Sequence, residues 1–302
     1  MGQERFAVIL SGGSRSGRES AHLVCKLLGD KAEFITVTKS AQDQKDSIQR
    51  ALKEGIENIW VGGGDGSVRA GASELLNSKA VLSILPFGTG NSLARELGIP
   101  IDPTEAINFH LNDAVVRTID VGTINKEHFV NVATLGFTTK IMEQVQTADK
   151  GTFGRLVYLP AFIKAYTASK GIQIKVETDT QTFEGSALQF VAASTRFHGG
   201  PFPVSEHAAI DDGKLSIYVL EEKSRASLLR YCMALLVGKQ TELAEVWNVE
   251  STFATVTVRN PKKFVVDGDP LKTSRAEIKI EPQSLKVSAK KEEEETNGGK
   301  EA

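Results

Sequence analysis

The chain opens with short apolar runs separated by polar segments of helical spacing. Phe6 to Leu10, Phe34 to Val37, Asn58 to Val61 and Val81 to Leu85 each have the length and side-chain content of a buried strand. Between them Ala21 to Leu28 is helix-spaced, and Asp43 to Glu54 predicts a polar helix whose apolar stripe runs through Ile48 and Leu52 to Ile56. Strands alternating with helices in this way predict a parallel sheet covered by helices. Pro103 to Leu111 predicts one more helix, begun at its proline.

Beyond residues 112 to 120 the pattern changes. Val115 to Val121, Phe129 to Ala133, Ile172 to Glu177, Phe183 to Ala193, Leu215 to Leu220, Thr252 to Val258, Phe264 to Val266 and Ala276 to Ile280 are short runs rich in β-branched and aromatic residues. They predict a second, mainly antiparallel domain, interrupted by helices at Leu156 to Ala168 and Ala226 to Val237. After Val287 the chain turns Lys-, Glu- and Gly-rich, and Lys290 to Ala302 is expected to be a disordered charged tail.

Composition narrows the picture a little. A chain of 302 residues has room for two domains and a sizeable core. A formal charge of −2 supplies no global basic field, so nucleic acid is not the expected partner. The two cysteines, Cys25 and Cys232, lie in apolar helical contexts and read as buried free thiols of a reducing compartment, which points to the cytoplasm. No signal-peptide pattern opens the chain, and no apolar run approaches the roughly 18 residues that span a bilayer. The five histidines are scattered without zinc-ligand spacing.

The candidate chemistry sits where strands stop at glycines. Asn58 to Val61 runs into Gly62-Gly63-Gly64-Asp65-Gly66-Ser67, a backbone that can approach a bulky anion because no Cβ intervenes. A helix beginning after Ser67 would aim its free N–H groups at the same place. Asp65 suits such a site only with a metal ion or a transferable proton between it and the phosphate. The alternative is a Gly-rich turn capped by an aspartate. Val81 to Leu85 likewise leads into Pro86-Phe87-Gly88-Thr89-Gly90-Asn91-Ser92, and two such strand-loop-helix units bring their loops to one edge of a parallel sheet. The first strand ends in Ser11-Gly12-Gly13-Ser14-Arg15-Ser16-Gly17, small enough to wrap a phosphate, with Arg15 or Arg18 available for charge-assisted contacts; a plain turn explains it equally well.

GGDGS at Gly63 to Ser67, followed by PFGTGNSLAREL from Pro86, resembles the catalytic signature of the diacylglycerol kinase superfamily, which includes bacterial lipid kinases, sphingosine kinases and ceramide kinases. Further matches follow in the family order: Ile119-Asp120-Val121-Gly122 with Phe129-Val130-Asn131 at the link between domains, Asp211-Asp212-Gly213-Lys214-Leu215, and Asp267-Gly268-Asp269. The resemblance runs from Ser11 to about Val287 and implies an ATP- and Mg2+-dependent lipid kinase. Its fold would be a Rossmann-like α/β nucleotide-binding domain over residues 1–115 and a mainly antiparallel β-sandwich over 116–280, with 281–289 returning to the first domain.

By resemblance, the nucleotide would be held by Ser11, Gly12, Gly13, Ser14, Arg15 and Gly17, by Thr38, by Gly63, Gly64, Asp65, Gly66, Ser67, Val68 and Arg69, and by Gly88, Thr89 and Asn91. Each threonine alone is more often a helix-capping hydroxyl. Mg2+ would take Asp212 with the backbone oxygens of Ala209 and Lys214, a segment that also fits an Asp-Gly hairpin turn. Asp269 or Asp65 would accept the hydroxyl proton. Two departures stand out: Ser11-Gly12 replaces the family's usual Asn-Pro, and Asp269 replaces its usual Glu. The expected partner is a lipid at a membrane surface, met peripherally, with one of the helices at 156–168 or 226–237 either packing in the core or lining a lipid groove. A homodimer stays open. The alternatives are a kinase of a small soluble alcohol or NAD, and an inactive nucleotide-binding regulatory protein.

Overall fold

The computed structural model describes residues 5–12, 15–136, 171–198, 202–203, 209–223, 230–231, 234 and 239–291. Strands β1 (Phe6–Ser11), β2 (Phe34–Thr38), β3 (Asn58–Gly63) and β4 (Val81–Pro86) pair in parallel in the order β2-β1-β3-β4. The inner strands are covered on both faces. Ile9, Leu10, Ile59, Trp60, Val61, Leu82, Ile84 and Leu85 are all buried, which is why these strands read as unbroken apolar runs. β2 forms the edge and leaves Val37 exposed.

Helices α1 (Arg15–Leu28), α2 (Ala41–Lys53), α3 (Asp65–Leu75), α4 (Ser92–Glu96) and α5 (Pro103–Asn112) complete this half. Ser40 caps α2 by accepting the Asp43 N–H at 3.1 Å. Asp102 caps α5 by accepting the N–H groups of Thr104 and Glu105, with Pro103 at the first helical position. α3 begins at Asp65, earlier than the expected start after Ser67. Gly64 is extended there, and its carbonyl already accepts the Val68 N–H at 3.1 Å.

The second half contains β5 (Val115–Ile124), β6 (Glu127–Phe129), β7 (Val132–Gly136), β8 (Ile172–Thr178), β9 (Thr182–Ala193), β10 (Phe197–His198), β11 (Phe202–Pro203), β12 (Leu215–Glu221), β13 (Val246–Ser251), β14 (Phe253–Val266) and β15 (Asp269–Ala289). Pairing among them is antiparallel. β9 pairs with β8 through residues 182–187 and with β7 through 189–193. β14 pairs with β8 through 254–258 and with β7 through 264–266. These four strands thus close a circuit around a second core, in which the rings of Phe190 and Phe264 meet edge-on at 6.5 Å.

β15 stitches the two halves together. Its Ala276, Ile278 and Ile280 belong to the second core, and its Leu285, Val287 and Ala289 to the first. The change of side occurs at an irregularity between Glu281 and Leu285, where Gln283 has φ 47°. Beyond it β15 lies between β5 and β4, pairing in parallel with β4 through Lys286 and Val287. The parallel and antiparallel strands, apart from the β10–β11 pair, therefore form one continuous sheet.

Several expectations are corrected. The run Phe129 to Ala133 is two strands, because Val130 and Asn131 turn their N–H groups to the Asp267 carboxylate. The runs at 252–258 and 264–266 belong to one strand, β14, whose polar middle around Arg259 and Lys262 hides its continuity. Cys25 is exposed, one residue past the buried Val24 on α1. Cys232, the helix at 156–168 and residues 292–302 of the tail lie outside the described residues, and of 226–237 only Arg230, Tyr231 and Ala234 are described, all helical.

Candidate functional site

The carboxyl ends of β1 to β4 converge on one edge of the sheet. There Gly12 donates its N–H to the Thr38 carbonyl at 2.8 Å, and the buried Thr38 hydroxyl donates to the Leu10 carbonyl at 3.1 Å, so the first two strand ends are locked side by side. Gln44, from α2, donates to the Ser67 carbonyl at 2.7 Å and fixes the first turn of α3. The early N–H groups of that helix are left for an incoming acceptor, as at any helix start.

The loops after β3 and β4 are clamped to each other. Asp65 Oδ1 accepts the Ser92 N–H at 2.7 Å and Oδ2 the Asn91 N–H at 3.1 Å. Asn91, left-handed at φ 51°, accepts the Gly88 N–H through Oδ1 and donates through Nδ2 to the carbonyls of Pro86 and Gly88. The backbones approach so closely that a Cβ on Gly88 would lie 2.4 Å from the Gly64 Cα. Gly88 is therefore required by contact between the two loops.

A bridge crosses from this cradle to the second half. Arg69, on α3, sets Nη2 2.5 Å from Asp269 Oδ2, while its Nη1 lies 3.4 Å from the carbonyls of His128 and Val266. Arg69 is largely enclosed and Asp269 exposed. Asp269 opens β15 directly after a two-residue turn, since Val266 pairs with Asp269 and Asp267 and Gly268 have φ 46° and 101°. The Asp267 carboxylate accepts the N–H groups of Val130 at 2.7 Å, Val132 at 2.8 Å and Asn131 at 3.1 Å. Burial pushes its pKa up to about 6; the N–H donors and Arg69 oppose that rise, and Asp65 adds to it. A second bridge joins Glu96 at the end of α4 to the N–H and Nε of Arg196, both at 3.0 Å.

The Asp211 to Lys214 segment is anchored elsewhere. Buried Asp120 accepts the Gly213 N–H at 2.6 Å and the Gln283 N–H at 2.7 Å, and Asp211 pairs with Arg117 at 2.7 Å. Asp212 accepts the Lys214 N–H at 2.9 Å, and its pKa is raised, chiefly by burial. Among the described residues no three of His, Cys, Asp and Glu gather around a common point.

The structure thus brings Ser11, Gly12, Thr38, Gly63, Gly64, Asp65, Ser67, Arg69, Gly88 and Asn91 to one edge, with Asp269 against Arg69. Gly66 and Thr89 stand exposed beside them, whereas the Val68 side chain is in the core and leaves only its backbone. Gly13 and Ser14 lie outside the described residues, as do the side chains of Arg15 and Arg18. Asp212 and Lys214 bond within the Asp120 anchor, next to Ala209 in sequence. Sequence reasoning gave no role to Asp267, whose partners are main-chain groups 135 to 137 residues away. An Asp-Gly pair between apolar runs is a hairpin signal and was the one local clue. His110 is a half-buried structural histidine: Nε2 lies 2.8 Å from the Ile84 carbonyl and Nδ1 2.8 Å from Ser288 Oγ, and desolvation holds its pKa down to about 4.

The pattern of the diacylglycerol kinase catalytic domain matches residues 5–124, and that of the YegS C-terminal NAD kinase beta sandwich-like domain matches 131–289. A protein of Pseudomonas aeruginosa strain UCBPP-PA14, named as a YegS-like lipid kinase, is 26% identical over 291 residues, 95% of each chain. A diacylglycerol kinase of Bacillus subtilis strain 168 is 24% identical over 234 residues, 77% of each chain. The fold is shared with the crystal structure of a diacylglycerol kinase from Bacillus anthracis strain Sterne, at TM-score 0.71 and 20% identity over 95% of this chain and 97% of that one. With both halves matched in order, the chain belongs to the diacylglycerol kinase catalytic-domain family, with a YegS-type β-sandwich-like domain as its second half.

Proposed function

We propose that this kinase transfers the γ-phosphate of ATP, with Mg2+, to the hydroxyl of a diacylglycerol-like or sphingoid-like lipid presented at a membrane surface. The observation that carries the reading is the clamped pair of glycine loops, at Gly63 to Ser67 and Gly88 to Asn91, placed beside the Arg69 and Asp269 bridge. The names of the relatives, diacylglycerol kinases and YegS-like lipid kinases, support a lipid as the acceptor. Among the described residues no helix is long and apolar enough to cross a membrane. The reading has a cytoplasmic protein that meets the membrane peripherally during turnover.

The residues divide the work. Main-chain N–H groups of the glycine loops and the start of α3 receive the phosphates, with Ser11, Gly12 and Thr38 forming the wall beside them. Asp65 has both oxygens bonded to N–H groups of the neighbouring loop, so Asp269, exposed beside Arg69, is the better acceptor for the hydroxyl proton. It accepts as bond formation makes that hydroxyl acidic. Arg69 offsets the charge of Asp269, so that a phosphate can come close, and in-line transfer then depends on position and electrostatic stabilisation.

Asp212, with the carbonyls of Ala209 and Lys214, is a donor set of hard oxygens suited in kind to Mg2+, and beside it Asp120 anchors the segment through the N–H groups of Gly213 and Gln283. Mg2+ bound with the nucleotide would supply positive charge that offsets the phosphates at the glycine loops, and an ion on the Asp212 set, which is anchored apart from those loops, would be a separate one. In this reading residues 1–115 and 281–289 hold the nucleotide and 116–280 present the lipid.

A panel assay tests the reading. Labelled ATP is offered with a diacylglycerol or sphingosine in mixed micelles, and separately with glycerol or NAD in solution. Label in lipid alone is expected. Label in NAD or glycerol alone would replace the lipid acceptor by a soluble one, and ATP binding without transfer to any acceptor would favour a regulatory protein.

A further inference from the structure

The turn that delivers Asp269 is held by a carboxylate that the transfer itself does not use. Where the chain leaves β6 and enters β7, the N–H groups of Val130, Asn131 and Val132 all point at Asp267. Asp267 returns its own N–H to the Val132 carbonyl at 3.0 Å, and the Asn131 carbonyl accepts the Ser194 N–H at 3.0 Å. The corner is therefore tied from both sides.

Resting on the kinase reading, we propose that Asp267 is the positioning residue for Asp269, tying the β14–β15 turn to the β6–β7 corner and so setting where Asp269 meets Arg69. Three lines of geometry support it. A left-handed residue opening a two-residue turn is ordinarily Asn, Gly or Asp, and of these only a carboxylate accepts from three donors without presenting a donor of its own. Asp269 follows two residues later, opposite Val266, so the turn fixes its position directly. Arg69 touches the carbonyls of His128 and Val266, one on each side of the tie, besides Asp269 itself. Loosening the tie moves all three acceptors relative to the guanidinium.

The test is a double-mutant cycle of Asp267→Asn and Asp269→Asn on the full chain, reading kcat with lipid and KM for ATP. Asp267→Asn places an NH2 group against one of the donors. It is expected to lower kcat by about tenfold or more, as sub-ångström to ångström misplacements do, and to leave the KM for ATP within about twofold. In the Asp269→Asn background the same change is expected to alter kcat by less than about twofold, because it acts through Asp269. Losses that multiply, or an unaffected kcat in Asp267→Asn, would overturn the proposal.

Asp267→Glu keeps the acceptor set and is expected to retain more kcat than Asp267→Asn; the reverse order would count against it. Should the Asn variant fail to fold, Asp267→Glu takes its place in the cycle with Asp269→Asn: a loss of kcat that disappears in the Asp269→Asn background is expected, and losses that multiply would overturn the proposal. A wild type that labels no lipid would sink the kinase reading separately. The tie then remains testable by hydrogen exchange, where Asp267→Asn is expected to lose protection both at 129–133 and at 266–269, and unchanged protection would overturn it.

Discussion

Replacing Asp65 by alanine tests whether the two glycine loops are one unit. The substitution leaves the N–H groups of Asn91 and Ser92 without their acceptor, and both residues are nearly enclosed, at 5% and 3% exposure. A buried donor left unsatisfied costs about 1–3 kcal/mol, and Asp65 itself is part exposed, so the pair is worth about 2–4 kcal/mol. Asp65→Asn keeps one acceptor oxygen and is expected to lose about half as much. Urea unfolding near neutral pH reads both variants, with the slope unchanged if the folded state stays compact. Turnover adds a second reading. A clamp role expects stability and nucleotide affinity to fall together, in the order wild type, Asn, Ala. Asp65→Ala within about 0.5 kcal/mol of wild type would refute the clamp, since that is the range of a surface substitution. Full stability in Asp65→Asn with turnover abolished would return Asp65 to the role of proton acceptor.

Other expectations follow from single contacts. Gly88→Ala puts a methyl 2.4 Å from the Gly64 backbone, so the loops must part and nucleotide affinity is expected to fall about tenfold or more by fluorescent-nucleotide titration; wild-type affinity would contradict the close approach. His110 is held neutral in the fold, with its pKa near 4 against an unfolded value near 6.5. Its contribution is therefore full above about pH 6.5 and is lost, about 3 kcal/mol in all, as pH falls towards 4. Asp267, raised to about 6, runs the other way: its contribution is full below about pH 4 and lost as pH rises through 6. Urea unfolding of wild type and His110→Gln at about pH 7.5 and about pH 5 separates the two, and the variant is expected to show about 2 kcal/mol less acid destabilisation; an identical pH dependence would contradict the assignment. Arg196→Ala takes one partner from the enclosed Glu96 carboxylate and is expected to cost about 1 kcal/mol in the same assay, the exposed half of the pair being screened by solvent.

The elements of the parallel half were legible because its inner strands are buried on both faces and appear as solid apolar runs ending in glycine. The second half was harder. β13 alternates part-buried Trp247 and Val249 with exposed Asn248 and Glu250, β14 passes through the polar Arg259 to Lys263, and β15, 21 residues long, alternates Glu277 and Lys279 with buried Ala276, Ile278 and Ile280. Short-window apolarity breaks such strands into pieces. That β15 joins both cores could not be read locally either, because the crossing is made by one irregularity at Gln283 and an Asp120 carboxylate far away in sequence.

The glycine loops announced themselves by composition, but what holds them did not. Asp65 reaches main-chain N–H groups 26 and 27 residues away, Arg69 meets Asp269 across 200 residues, and Asp267 binds a corner of the backbone with no side-chain signature. The early start of α3 has a similar origin: extended Gly64 lets the helix begin at the very residue whose carboxylate clamps the next loop.

The central claim is phosphoryl transfer to a lipid hydroxyl with Asp269 as proton acceptor. It is met most directly by following labelled γ-phosphate from ATP with Mg2+ into diacylglycerol and, separately, sphingosine in mixed micelles, wild type beside Asp269→Asn, with nucleotide binding measured on both. The account expects labelled lipid from wild type and a loss of at least about a hundredfold in Asp269→Asn at unchanged nucleotide affinity, the scale of a general base. Full transfer by Asp269→Asn, or no labelled lipid of any class from folded wild-type protein that binds ATP, would contradict it.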